Sequence, residues 1–240
     1  MNGNKISPTH YRSRLPAELQ PVYRQITASL LRYQYEIVLE SYVSPADAAQ
    51  AAQAVHRDHP ELFYVDFWHY RVSASHATGL CRGLIFSPLL PESILPACQN
   101  TVANQLTILR SMPDIRSYRK LAAYIATDLE YQETGKENAL LCHTMLGPLL
   151  RHTAVCEGIP KLFLLYCQQL RLPCCVVPGA LHGAPHMWNA VETPTGLRHV
   201  DVTGELSRTK RLGSCGPWIF RPGELLRQHG YAWDAADVGF

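Results

Sequence analysis

Cys156, His186 and Asp201 fall in that order in the second half of a 240-residue chain. They are the residue types an acyl-transfer site needs: a nucleophile, a base and a carboxylate to orient the base. In Thr153-Ala154-Val155-Cys156-Glu157-Gly158-Ile159-Pro160 the cysteine is followed by a glycine, a proline and the apolar run Leu162 to Tyr166. Proline fits only the first turn of a helix, so Pro160 predicts a helix start at or just after Cys156. A sulfur placed there meets unpaired N–H groups and the positive end of the helix dipole, which favour the thiolate near neutral pH. The competing reading of the same cysteine is a small buried hydrophobe.

The elements that must carry the other two residues are strands. Pro173 to Pro178, His186 to Val191 and Leu197 to Thr203 read as three strands, and Thr193 to Gly196 as the four-residue turn joining the last two. That turn puts Trp188 opposite Asp201. His186 and Asp201 become diagonal neighbours on one face, about 7–8 Å apart at Cα and within side-chain reach. Trp188 shares the parity of His186 and shields the imidazole, lines an acyl slot or simply packs beside the site. Glu157 either tunes substrate charge or occupies a helix first turn, where acidic residues are favourable. Trp188 and Glu157 are therefore the candidate substrate contacts. Asn189 faces the other way, as a structural hydrogen bonder. Cys174 and Cys175 alternate faces and would bridge only with strain, so they read as core. Cys142 and His143 are neighbours on a helix and do not face each other. His152 and His182 read as loop residues.

Further elements precede these. Leu19, Val22, Ile26 and Leu30 predict a helix over 17–31, and the alternation from Tyr33 to Glu40 a half-buried strand. Ser44-Pro45 is an N-cap and first helical residue, opening a helix to about Arg57. Leu62 to Val72 and Gly79 to Phe86 read as an antiparallel pair. Ser93 to Leu109 and Asp114 to about Leu129 read as helices. Met112-Pro113 is the candidate boundary, giving an N-terminal helix and strand extension over 1–112 and a catalytic domain over 113–240.

The motifs resemble the transglutaminase-like superfamily with its papain-like triad. Ala154-Val155-Cys156-Glu157-Gly158 is similar to the family's cysteine motif, His186-Met187-Trp188-Asn189 to its histidine motif, and His199-Val200-Asp201-Val202-Thr203 to its aspartate motif. Pro173 to Gly179 resembles a proline-led strand of bacterial members, and Asn138 to Leu150 the helix before their cysteine. His59-Pro60-Glu61-Leu62-Phe63-Tyr64 and His229-Gly230-Tyr231-Ala232-Trp233-Asp234 resemble shorter flanking segments. Met187 stands where a small residue is usual and Gly204 where a tryptophan often follows, departures that bear on the substrate. The resemblance implies an α+β fold with a papain-like transglutaminase core, a cysteine helix packed on an antiparallel sheet. It also implies thioester chemistry on a protein or peptide amide, ending as peptidase, deamidase or transamidase. A catalytically silent binding or scaffold module is the alternative.

Composition narrows the rest. A net charge of +2, with Arg208, Lys210 and Arg211 as a local basic cluster read as a solvated loop, argues against a nucleic-acid or anionic-membrane partner. An apolar leader is missing from the first twenty residues, so a cytoplasmic location with all eight cysteines reduced is expected. C-x-x-C pairs and acid-rich calcium loops are missing too, so neither a metal nor an organic cofactor is expected.

Overall fold

The computed structural model describes residues 6–132, 139–212, 216 and 218–240. The chain divides into two units, Thr9–Leu95 and a second made of Pro96–Phe240 with the segment ending at Pro8.

In the first unit the helical spacing buries Leu19, Val22, Ile26 and Leu30, the last three on helix α1 (Gln20–Leu30). Strand β1 (Glu36–Val43) buries Ile37 and Leu39 and exposes Glu36, Val38 and Glu40. It starts later than the alternation predicts because Tyr33 turns the chain at φ 61. Helix α2 (Pro45–Asp58) opens as expected: the Asp47 N–H donates to Ser44 Oγ at 3.0 Å and Pro45 is the first helical residue. Strands β2 (Val65–Ala74) and β3 (Cys81–Pro88) complete an antiparallel sheet in the order β1-β3-β2.

The unit buries a polar cluster around Asp58. Asp58, 3% exposed, accepts from the Tyr11 and Arg12 N–H groups at 2.9 Å each and from the Tyr23 hydroxyl at 3.0 Å. That hydroxyl also lies 2.8 Å from His59 Nε2, whose Nδ1 pairs with Glu61 at 2.7 Å. Burial pushes the Asp58 carboxyl above its ordinary range, against the pull of the Tyr11 and Arg12 N–H groups and the Tyr23 hydroxyl.

The second unit holds helix α3 (Leu95–Ser111) from Pro96 onward and helix α4 (Tyr118–Thr127). The latter is shorter than the predicted 114–129 because Asp114 takes φ 63 after Pro113. Strand β4 (Glu130–Tyr131) and helix α5 (Ala139–Cys142) follow. The helix expected over 138–150 stops there, and Asn138 lies outside the described residues. Thr144 Oγ1 donates to the Leu141 carbonyl and accepts from the Leu146 N–H, and Gly147–Arg151, with Pro148 near its start, continues as a π-helical turn.

Strand β5 (Thr153–Ala154) pairs in parallel with β4. Helix α6 (Gly158–Leu170) is buried almost throughout and packs on strands β6 (Cys174–Leu181) and β7 (Ala184–Thr193). Each fully buried Leu or Phe on it is worth about 1.5–3 kcal/mol of transfer free energy. Strand β8 (Gly196–Val200), helix α7 (Leu206–Leu212), strand β9 (Ile219–Arg221), helix α8 (Gly223–Gln228), strand β10 (Tyr231–Ala232) and helix α9 (Ala235–Val238) end the chain. The sheet order is β10-β6-β7-β8-β9, all antiparallel. Its core joins Cys175, Val177, Trp188, Ala190, Leu226, Tyr231 and Val238.

The basic cluster read as a loop is on α7, with Arg211 exposed and the Arg208 and Lys210 side chains outside the described residues. Among the described residues the cysteines at 81, 98, 142, 156, 167, 174 and 175 are thiols; Cys215 lies outside them. No helix among the described residues is long and apolar enough to cross a membrane.

Candidate active site

Two tight turns set the register of the sheet around His186. His182 and Gly183, at φ 50 and 82, close the β6–β7 hairpin, the doubly left-handed pattern that twisted hairpins favour. Thr193 pairs with Gly196 across the β7–β8 turn, and Asn189 pairs with Val200. Continued by one step, this register sets Trp188 across from Asp201, as the turn length predicts. Strand β8 ends at Val200, and Asp201 is then held by its own N–H, which donates to the Trp218 carbonyl at 3.1 Å.

His186 Nε2 and Asp201 Oδ2 are 2.9 Å apart, with side chains 9% and 2% exposed. The same Oδ2 accepts from the Tyr231 hydroxyl at 2.7 Å, and Oδ1 accepts from the Gly204 N–H at 3.2 Å. Tyr231 arrives on β10, which pairs with β6 at Leu181.

Cys156 precedes α6 by two residues, with Glu157 between and Pro160 in the first turn. Gly158 seats the helix start directly on backbone: a Cβ there would overlap the Cys142 carbonyl oxygen and stand 2.7 Å from that of Thr144. The sulfur is half-buried and 4.0 Å from the Pro185 carbonyl oxygen. Burial pushes its thiol up. The hydrogen bond and charge of His186, the Tyr131 hydroxyl and the Met187 N–H pull it down further, to a net position below its ordinary value.

His186 shows the reciprocal effect. Burial lowers it, but the hydrogen bonds it donates to Asp201 and Cys156, and their charges, raise it to about 9. With Nε2 on Asp201, Nδ1 is the nitrogen left for the sulfur. The imidazolium and the thiolate each favour the other.

Around this line the candidate contacts take specific places. Trp188 is 1% exposed, lies against the imidazole at 5.8 Å and 24°, and donates from Nε1 to His199 Nδ1 at 2.9 Å. It backs the imidazole from the core side and offers no open face to a substrate. His199 is lowered to about 4 by burial and by the charge of Arg227, and so stays neutral and able to accept. Glu157 is committed on both oxygens, to His143 Nδ1 and to Lys161 Nζ at 2.8 Å each. Cys142 instead donates to Gln132 Oε1 at 2.8 Å, away from the His143 bond. Asn189 donates to the Pro160 carbonyl at 3.0 Å and so ties β7 to the start of α6. Cys174 and Cys175 are buried core thiols. His152 ends the π-helical turn at φ 54, and His182 sits in the β6–β7 turn.

Two neighbours of the site have no role assigned by the sequence. Tyr131 stands opposite Ala154 on a two-residue strand, too short for any periodicity to show. Tyr231 lies in a recognisable C-terminal segment, but only the distant β10–β6 pairing carries it to Asp201. Among the described residues no three His, Cys, Asp or Glu side chains group as metal ligands.

No family model matches the chain, and no curated protein does either. Among solved structures it is similar to a TGase, at 14% identity and TM-score 0.40, over 81% of this chain and 55% of that one. It is also similar to a proposed cysteine protease from Cytophaga hutchinsonii, at 12% identity and TM-score 0.35, over 70% of this chain and 68% of that one. The chain thus spans little more than half the length of the TGase chain.

Proposed function

We propose that the chain is a transglutaminase-like cysteine enzyme that transfers the acyl group of a protein or peptide amide through a thioester. The observation that supports this most is the continuous line Asp201–His186–Cys156, anchored by the 2.9 Å carboxylate contact and ending at a thiol held below its ordinary value. In this reading the Cys156 thiolate attacks the amide carbonyl. The carbonyl oxygen becomes an oxyanion beside the Cys156 N–H. The tetrahedral centre then collapses, breaking the C–N bond while the His186 imidazolium gives its proton to the departing amine. Asp201 keeps Nε2 protonated and Nδ1 aimed at the sulfur. The thioester passes to water, releasing an acid, or to a second amine, releasing a new amide. Either course regenerates the thiol, and no redox partner enters.

Alkylation tests this reading without knowledge of the substrate. Cys156 should react with iodoacetamide well below pH 8, ahead of the buried thiols. Cys156→Ala should abolish amide hydrolysis and transfer while leaving the melting temperature nearly unchanged. Activity retained within a few-fold by that variant, or Cys156 alkylation no faster than that of a buried thiol, would overturn it.

A further inference from the structure

Behind the contact of His186 with Asp201 the sheet repeats the same geometry with two other side chains. Asn189 pairs with Val200 and Ala190 with His199, so Trp188 and His199 stand in the same diagonal relation as His186 and Asp201, one step nearer the β7–β8 turn. Each diagonal is bridged at 2.9 Å, the first by His186 Nε2 and Asp201 Oδ2, the second by Trp188 Nε1, which donates to His199 Nδ1. The second bridge is buried, with both residues 1% exposed. Because Nδ1 accepts, the proton of the neutral His199 ring is on Nε2, and that buried nitrogen has no hydrogen-bond partner among the described residues. The ring packs instead against those of Trp233 and Phe240, at 4.8 and 5.7 Å. A buried N–H without a partner is costly, and a phenyl ring at this position would carry none. What a phenyl ring cannot supply is the acceptor at Nδ1.

The surroundings keep that acceptor available. Burial and the charge of Arg227, whose guanidinium lies 3.7 Å from the Trp233 ring, lower His199 to about 4. Nδ1 therefore stays unprotonated at neutral pH, where a proton on it would face the indole N–H donor to donor. The indole held in this way is the wall behind the imidazole. Its six-membered ring rests on Gly179, where a Cβ would stand 2.7 Å from Cη2, and it lies against His186 at 5.8 Å and 24°. An indole has a single polar group, and His199 takes it. Ring stacking tolerates sliding in the plane of the ring, whereas a hydrogen bond at one corner does not. We infer that His199 is a positioning residue for the base: its Nδ1 fixes the Trp188 indole, and the indole fixes the plane of the His186 imidazole that serves Cys156. The inference rests on the thioester reading, since a histidine with no thiol to serve needs no such alignment.

The pH profile of Cys156 alkylation by iodoacetamide, measured on the full chain, reads the thiolate and imidazolium pair without a substrate. His199→Phe keeps a ring and removes the acceptor. Its profile should move up by about one unit toward that of an ordinary thiol near about 8.5, a fall of about tenfold in rate at pH 6. His199→Asn puts Oδ1 where Nδ1 stands and should return the rate to within about two-fold of wild type. A role in packing alone would lower the melting temperature of His199→Phe and leave its profile in place, and that result would overturn the inference. So would a His199→Asn profile displaced as far as that of His199→Phe. Should His199→Phe fail to fold, Trp188→Phe tests the same bond from its other end, keeping a ring against His186 and dropping the N–H. An unmoved profile there would overturn the inference equally. An ordinary thiol profile in the wild type would overturn the thioester reading and the positioning role with it. A lowered wild-type profile that these substitutions leave untouched would overturn the positioning role alone.

Discussion

Both units bury an aspartate beside a tyrosine and a histidine, yet the two clusters differ in what the carboxylate holds. Asp58 spends its oxygens on two backbone N–H groups and the Tyr23 hydroxyl, and that hydroxyl in turn meets His59. Asp201 grips its histidine directly, and the other ring nitrogen of that histidine is left for a sulfur. The residue types are the same in both. Chemistry comes from the order of connection: a carboxylate saturated by main chain is a structural clamp, and one bonded to an imidazole tunes a proton carrier.

The largest effect expected from breaking this contrast is on turnover. Asp201→Asn should lower the rate by about 10³–10⁴-fold with the fold intact, because it removes the charge and can invert the tautomer of His186. The pH profile of Cys156 alkylation should move toward that of an ordinary thiol near about 8.5. Unchanged turnover and an unchanged profile would make Asp201 another clamp. Asp58→Ala should do the opposite. Denaturant unfolding should show a loss of about 2–4 kcal/mol from orphaned N–H and hydroxyl groups, with turnover per folded molecule kept.

The His186 shift gives a pH signature of its own. A histidine raised from 6.5 to about 9 stabilises the fold fully below pH 6.5, and that contribution is lost as the pH rises through about 9. Melting temperatures of wild type and His186→Gln should therefore converge between pH 7 and 10. A constant gap would contradict the raised value.

Tyr231→Phe removes one of three hydrogen bonds to Asp201 and should cost about 1 kcal/mol and only a modest part of the rate. The smallest effect expected is an acid limb. His199 is lowered to about 4, so stability should fall as the pH drops from 6.5 toward 4, and His199→Gln should flatten that slope.

The parts of the site that are legible in the sequence are those with local rules. Pro160 marks the first turn of α6, and the Thr193–Gly196 turn sets the pairing that puts Trp188 across from Asp201. Both depend on residues a few positions apart. Tyr131 and Tyr231 obey no such rule, since two-residue strands have no period and their partners are remote in sequence. The break in the expected 138–150 helix is hidden for a related reason. Leu140, Leu141 and Leu146 look helical, and the hydroxyl of Thr144 diverts the backbone. Glu157 adjoins the sulfur in sequence, but its bonds to His143 and Lys161 are set by the fold.

Gly158 limits how this molecule can change. Replacing a helical glycine with alanine ordinarily strengthens a helix. Here the added methyl group would strike two carbonyl oxygens, so α6 could accept it only by backing away from the 142–144 backbone and carrying Cys156 with it. A displacement of about 1 Å at a reacting atom can cost about a hundredfold in rate. The position is therefore closed to the other nineteen residues for a mechanical reason, and stabilisation of α6 by drift or by engineering has to come from its far end.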